Sequence, residues 1–331
     1  MNETTFDLTR ARKTFSRIGW AMCAILVIAP AIQLLCIRIP EMLWGESNWL
    51  LTSSWGKWLL SFLPLYLVAI PVGLLIMKKL PAERPQEGKL KLWELLSYFA
   101  IGFCVMYAGN IIGTVLSLIL SGGNAQNDVL EIAMDTNPLK LLFVVILAPL
   151  LEEYVCRRQI IDRTRQYGEK TAIFLSALIF GLLHQNLFQF FYAFGLGLIF
   201  GYIYVRTGRL RYTVLMHSVI NFMGGVIAPW IITLLDMDTL AKLDPYAPME
   251  ELMALYQKIL PGLVVYLGYI LFLFLVSLTG LVLLIIKCCN LTWKPGALQL
   301  PRGTAAKTVY LNAGMVVYVV LCIVSFVLAL M

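Results

Sequence analysis

The sequence predicts an all-α, polytopic integral membrane protein of about nine transmembrane helices, with the N-terminus inside and the C-terminus outside. Three observations predict it. Of 331 residues, 60% are hydrophobic and 14% charged, with a mean hydropathy of +0.81; soluble globular chains carry about 25% charged residues. Apolar stretches of about 20 residues, the length that crosses ~30 Å of hydrocarbon as a helix, recur along the chain. The connections between them alternate between rich and poor in Lys and Arg. The same composition excludes a disordered chain, which needs low hydrophobicity and high charge. The net charge of +7 then reads as membrane topology, with the lipid bilayer as partner and no nucleic acid.

The spans fall at approximately 18–37, 57–77, 94–121, 139–160, 171–187, 190–206, 212–235, 260–286 and 308–330. The first is too long, and too poorly followed by a small-residue cleavage site, to be a removable signal peptide. The first, second and fourth contain kinking prolines at Pro30, Pro64, Pro71 and Pro149. Gln33 stands isolated in the first, and Tyr107 and Asn110 in the third read as interhelical hydrogen-bonding groups. The fifth is the shortest, and the sixth follows it almost directly, with Gly197 and Gly201 forming a face for close helix packing. With the N-terminus inside, only Arg38, Lys57, Lys140, Lys242 and Lys258 of the 26 basic residues fall outside, a strong asymmetry under the positive-inside rule. The longest outside loops instead carry acids, among them Glu131, Asp135, Asp236, Asp238 and Asp244. Seven cysteines fall within spans or on the inside and read as small apolar residues rather than a disulfide framework. Without internal repeat or low-complexity linker, residues 1–331 read as one membrane domain, and the short loops suit a bacterial plasma membrane.

Ionisable groups inside a span are costly and mark function; here they concentrate in spans four, five and seven. Span four carries Glu152 and Glu153 side by side. Adjacent helical residues point about 100° apart, so the two carboxylates face different ways. Glu153 and Arg157 are spaced i,i+4 with the acid first, the favourable order for an ion pair. Glu152 has no sequence-local partner, which makes it a general acid–base candidate, although a structural role for both glutamates stays open on this segment alone. The chain has two histidines, and both lie in spans. His184 follows Phe180 by one turn and His217 precedes Asn221 by one turn, so each pair shares a helix face. Counted inward from the cytoplasmic span ends, His217 lies roughly 9 Å deep, Glu152 about 12 Å and Asn221 about 15 Å, whereas His184 comes out about 21 Å deep. The levels predict a polar cavity in the cytoplasmic half of the membrane, with His184 the poorest fit.

These residues resemble a family. Glu152 to Arg157 matches EExxxR, Phe180 to His184 matches FxxxH and His217 to Asn221 matches HxxxN, in the order found in the CAAX protease and bacteriocin-processing (CPBP, or Abi) intramembrane endopeptidases. The resemblance covers about residues 93–235, the expected catalytic core, and the family's core of eight helices is one fewer than the spans counted here. It implies that Glu152 activates a water with help from His184, that His217 and Asn221 hydrogen-bond the oxyanion of the tetrahedral intermediate, and that Glu153, Arg157 and Phe180 support the site. An i,i+4 His/Asn pair does place two donors on one face, as an oxyanion site needs. The implied enzyme is a glutamic endopeptidase cleaving a peptide or membrane-associated protein near the cytoplasmic face, without cofactor. A zinc site is the alternative, with Glu152, His184 and His217 as ligands and water in the fourth position, but the sequence has no HExxH. Two other readings stay open: a non-catalytic immunity or regulatory protein that keeps the cavity, and a proton-relaying transporter, which would show repeated halves. The sequence leaves the oligomeric state open.

Overall fold

The computed structural model describes residues 7–331 apart from Leu243, Pro245 and Ala247, and the expected domain's first six residues lie outside the described ones. Among the described residues every regular element is helical. Nine rods follow the nine predicted stretches: α1 Leu8–Trp44, α2 Ser54–Met77, α3 Leu92–Leu120, α4 over residues 141–167, α5 Glu169–Leu183, α6 Leu187–Thr207, α7 Leu210–Thr233, α8 Met249–Cys289 and α9 Ala313–Leu328. Six of them, α1, α2, α3, α6, α7 and α8, are long and apolar enough to cross a membrane. The other three miss that standard for different reasons. α4 carries Glu152, Glu153, Arg157 and Arg158 within its length, while α5 and α9 have only 15 and 16 residues. The protein is a polytopic membrane protein, and large apolar side chains such as Leu271, Phe274 and Leu275 lie exposed along α8, a surface suited to lipid.

Sequence chemistry explains where the rods begin and end. The Asp7, Asn186 and Asn312 side chains accept hydrogen bonds from the first turns of α1, α6 and α9, satisfying amides the helix leaves free. α6 stops at Gly208, whose φ of +61° closes the last turn on the Tyr204 carbonyl. The carbonyl end of α2 is capped by two cations, Arg17 Nε donating to Ile76 O at 2.7 Å and Arg163 Nε to Met77 O at 3.1 Å.

Close helix approach relies on glycine. A Cβ on Gly109 of α3 would sit 2.5 Å from the Tyr192 nitrogen of α6, so Gly109 and Gly113 let the two backbones touch. Gly197 likewise faces the Ala177 backbone of α5, as its spacing to Gly201 predicts. α6 is thereby held between α3 and α5.

The two ends of the bundle differ in composition. At one end Arg165 pairs with Glu83, Arg209 with Glu87 and Arg206 with Glu169 at 2.9–3.0 Å, and Glu169 also accepts from Lys294 N. These bonds join the segments around residues 78–91, 157–170, 206–211 and 287–307, all basic-rich. At the other end Trp58 donates to Asp135 and Asn137 to Ser54, each at 2.8 Å. Segments that the charge pattern assigns to one side of the membrane are therefore gathered at one end of the fold.

Candidate active site

α4 supplies the charged groups. Glu153 and Arg157 are both fully buried, and the guanidinium donates Nε to Oε2 at 2.9 Å and Nη2 to Oε1 at 3.2 Å. This two-pronged geometry follows the i,i+4 spacing and is the form in which a buried ion pair recovers most of its desolvation cost. Arg157 Nη1 donates to Ser176 Oγ on α5 at 2.7 Å, and Ser176 donates to the Cys156 carbonyl at 2.8 Å. The guanidinium also lies 4.9 Å from the Phe180 ring centre and 5.8 Å from that of Phe200, so aromatic faces cover the remaining cation.

Both histidines are fixed by hydrogen bonds and by the same phenylalanine. His184 Nδ1 lies 2.8 Å from the Phe180 carbonyl; a carbonyl only accepts, so Nδ1 carries the proton and a neutral ring leaves Nε2 as a free acceptor. His217 Nδ1 lies 3.2 Å from Glu153 Oε1, and its Nε2 lies 3.8 Å from Glu152 Oε2. The Phe180 ring stands edge-on to His184 at 5.2 Å and to His217 at 5.5 Å, wedged between the two imidazoles.

Glu152 differs from its neighbour as the helix geometry predicts. It forms no bond with Arg157, and Oε2 is buried without a hydrogen-bond partner, a costly state for a carboxylate oxygen. It faces a cavity of about 400 Å³ whose wall also includes His184, His217, Asn221, Tyr107 and Asn110. A second cavity of about 310 Å³ on another side of Glu152 is lined by Gln33, Tyr66 and Gln185 as well as His184. Asn221 donates Nδ2 to the Val144 carbonyl at 2.9 Å. That carbonyl is free because α4 is wound wide over Leu141–Leu147, where Ala148 N bonds Phe143 O. Its next partner in the same pattern would be Pro149, which has no N–H.

The site thus brings together Glu152, His184, His217 and Asn221, with Glu153, Arg157 and Phe180 behind them. One sequence expectation needs correction. Span five ends early, because α5 stops at Leu183 and the chain turns through Gln185, with φ +56°, and Asn186. His184 therefore sits at a hairpin tip, and its depth mismatch disappears: α4 runs on past residue 160 to Tyr167, so Glu152 and His184 each stand sixteen residues from the turn at Gly168 and lie at one level. That level is about 24 Å along the helices from the turn at Gly168. The stretch counted to residue 160 is thus part of a longer helical rod. Sequence reading also missed the strap at the tip, where Asn186 donates to the His184 carbonyl and to Gln189, and Gln189 donates to Tyr192, each at 2.8 Å. Amides at i and i+3 directly after His184 were the available signal. As for zinc, no three His, Cys, Asp or Glu side chains among the described residues are grouped to hold a metal. As grouped, the residues do not fit that alternative.

The stretch of chain that carries these residues also matches known proteins. The family described as Type II CAAX prenyl endopeptidase Rce1-like matches residues 135–223, which hold all seven site and support residues. The membrane-embedded CAAX protease MroQ of Staphylococcus aureus is 32% identical over 196 residues, 55% of this chain and 77% of the relative. The Bacillus subtilis protein YdiL, named as a membrane peptidase, is 27% identical over 166 residues, 47% of this chain and 66% of the relative. No solved structure matches significantly. The match to most of MroQ, together with the family match over the site, shows that this chain belongs to the Rce1-like CAAX endopeptidase family of membrane proteases.

Proposed function

We propose that the protein is a metal-independent intramembrane endopeptidase in which Glu152 activates the attacking water. The single observation that carries this reading is the unpartnered, buried Oε2 of Glu152 beside two histidines of fixed orientation. A water between Glu152 and His184 Nε2 gives its proton to Glu152 as its oxygen adds to the peptide carbonyl carbon. The resulting oxyanion accepts from His217 Nε2–H and from the second N–H of Asn221, the first being held by Val144. In its doubly protonated form His217 keeps Nδ1–H on Glu153 and presents Nε2–H to the cavity. Collapse of the intermediate breaks the C–N bond, and Glu152 returns the proton to the leaving amine. The substrate is a peptide or membrane-associated protein. Residues 93–235 form the catalytic core, with α1 and α2 closing one wall. Nine spans with the N-terminus inside and the C-terminus outside, in a bacterial plasma membrane, complete the reading. The α5–α6 hairpin returns to the side it left, so it does not alter the sidedness of the other helices.

The test is cleavage of a quenched fluorogenic peptide library by detergent-purified wild type and Glu152→Ala, each with and without a strong chelator. Removal of the base is expected to lower kcat by 10²–10⁴-fold with the melting temperature retained and with chelator without effect. Equal cleavage by the variant would refute Glu152 as base, and chelator loss restored by zinc would refute metal independence.

A further inference from the structure

We infer that the active site opens to the extracytoplasmic face, so that the scissile peptide segment is taken from outside the cell membrane and not from the cytoplasm. The inference rests on the peptidase reading and the orientation proposed above, and is carried by where the cavities lead. From Glu152 one cavity runs between α1 and α2 past Tyr66 to Gln33 and Ser61. A further cavity of about 590 Å³ shares Gln33 and Ser61 and continues to Arg38, Glu41, Glu46 and Lys57. On the other side of Glu152 the catalytic cavity runs past Asn221 to Val129, Ile132 and Lys140, under the short helix Asp128–Met134. No residue lining these three cavities comes from the segments around 78–91, 157–170, 206–211 or 287–307, the basic segments bonded together at the opposite end. The positive-inside rule puts that closed end in the cytoplasm, so both mouths are outside.

The two mouths differ in chemistry. The α1–α2 route is edged by amide, hydroxyl and charged side chains and suits water, one molecule of which is consumed per bond cleaved. The route under Asp128–Met134 is walled by Val129 and Ile132 at the rim and by Phe62 and Met106 further in, which suits a peptide with apolar side chains at the outer leaflet. Glu152 lines both, with water reaching one side of the carboxylate and peptide the other.

Thiol accessibility tests the inference without requiring cleavage. In a background with all seven native cysteines replaced, Glu152→Cys and, separately, Gln33→Cys are treated with a membrane-impermeant methanethiosulfonate in right-side-out and in inverted vesicles. Asn124→Cys reports the outer face, and restoration of the exposed Cys288 reports the inner face. Labelling of both test positions from right-side-out vesicles, at least tenfold faster than from inverted ones, is the expected result. Faster labelling from inverted vesicles, or none from either side, would overturn it, and labelling of Asn124→Cys from inverted vesicles would overturn it through the orientation. Failure of the peptidase reading shows separately, as absence of cleavage by the detergent-purified wild type while these labelling rates stand.

Discussion

At the scale of single residues, the site assigns opposite fates to two neighbouring carboxylates. Glu153 spends both oxygens on Arg157 and one also on His217, so it is an orienting group, whereas Glu152 keeps an oxygen free. Breaking a buried ion pair from one side leaves an uncompensated charge and costs about 3–5 kcal/mol, while replacing both partners with apolar groups is often neutral. Arg157→Met is therefore expected to destabilise by about 3–5 kcal/mol, and the Glu153→Leu/Arg157→Met double variant to recover most of that loss. The double variant is expected to remain inactive, since His217 Nδ1–H then has no acceptor and the ring no fixed orientation. Denaturant or thermal unfolding in detergent, paired with peptide cleavage, checks both halves. A double variant with wild-type kcat would show that the pair serves folding alone.

At the scale of elements, three helices share one irregularity that points at the site. In α2, α4 and α7 a wide turn ends just before a proline, with Ile70 bonding Leu65 O, Ala148 bonding Phe143 O and Ala228 bonding Met223 O. The carbonyl five residues before each of Pro71, Pro149 and Pro229 then lacks its helical donor: Tyr66, Val144 and Gly224, all residues of the cavity walls. At Val144 the missing donor is supplied by Asn221, which ties α7 to α4 at catalytic depth. Pro149→Ala restores a backbone N–H that competes for Val144 O, so it is expected to release the Asn221 amide and lower kcat several-fold without lowering the melting temperature. Asn221→Ala leaves the carbonyl unpaired and is expected to cost about 1–3 kcal/mol as well as activity. Full activity in Pro149→Ala would show that the tie does not position Asn221.

At the scale of the whole molecule, the sequence made legible what membrane energetics penalises and obscured what helix length decides. Glu152, Glu153, Arg157, His184, His217 and Asn221 stood out because polar groups are costly in lipid, and the i,i+4 spacing of Glu153 and Arg157 carried directly into a contact. The level of His184, the early end of α5 and the cavity mouths depended on where helices turn, and no local signal at residue 160 announced that α4 continues. The same overrun carries Asp162 beyond the predicted span 139–160 into the bonded basic end. There Tyr204 Oη donates to it at 2.9 Å and Arg158 lies 3.8 Å away. Burial pushes its carboxyl up to about 6, against the lowering effects of the Tyr204 hydrogen bond and of Arg158, Arg84 and Arg163. A carboxyl raised in the fold binds its proton more tightly there than in the unfolded chain. Its contribution is thus fully present below the ordinary aspartate range near 3.8 and is lost as pH rises through about 6. The melting temperature of wild type minus that of Asp162→Asn, measured in detergent, is therefore expected to rise as pH falls from 7.5 to 5. The neutral amide keeps an acceptor for Tyr204 and removes the titration, so a difference that stays flat, or falls, across that window would mean that Asp162 is ionised at the closed end of the bundle throughout.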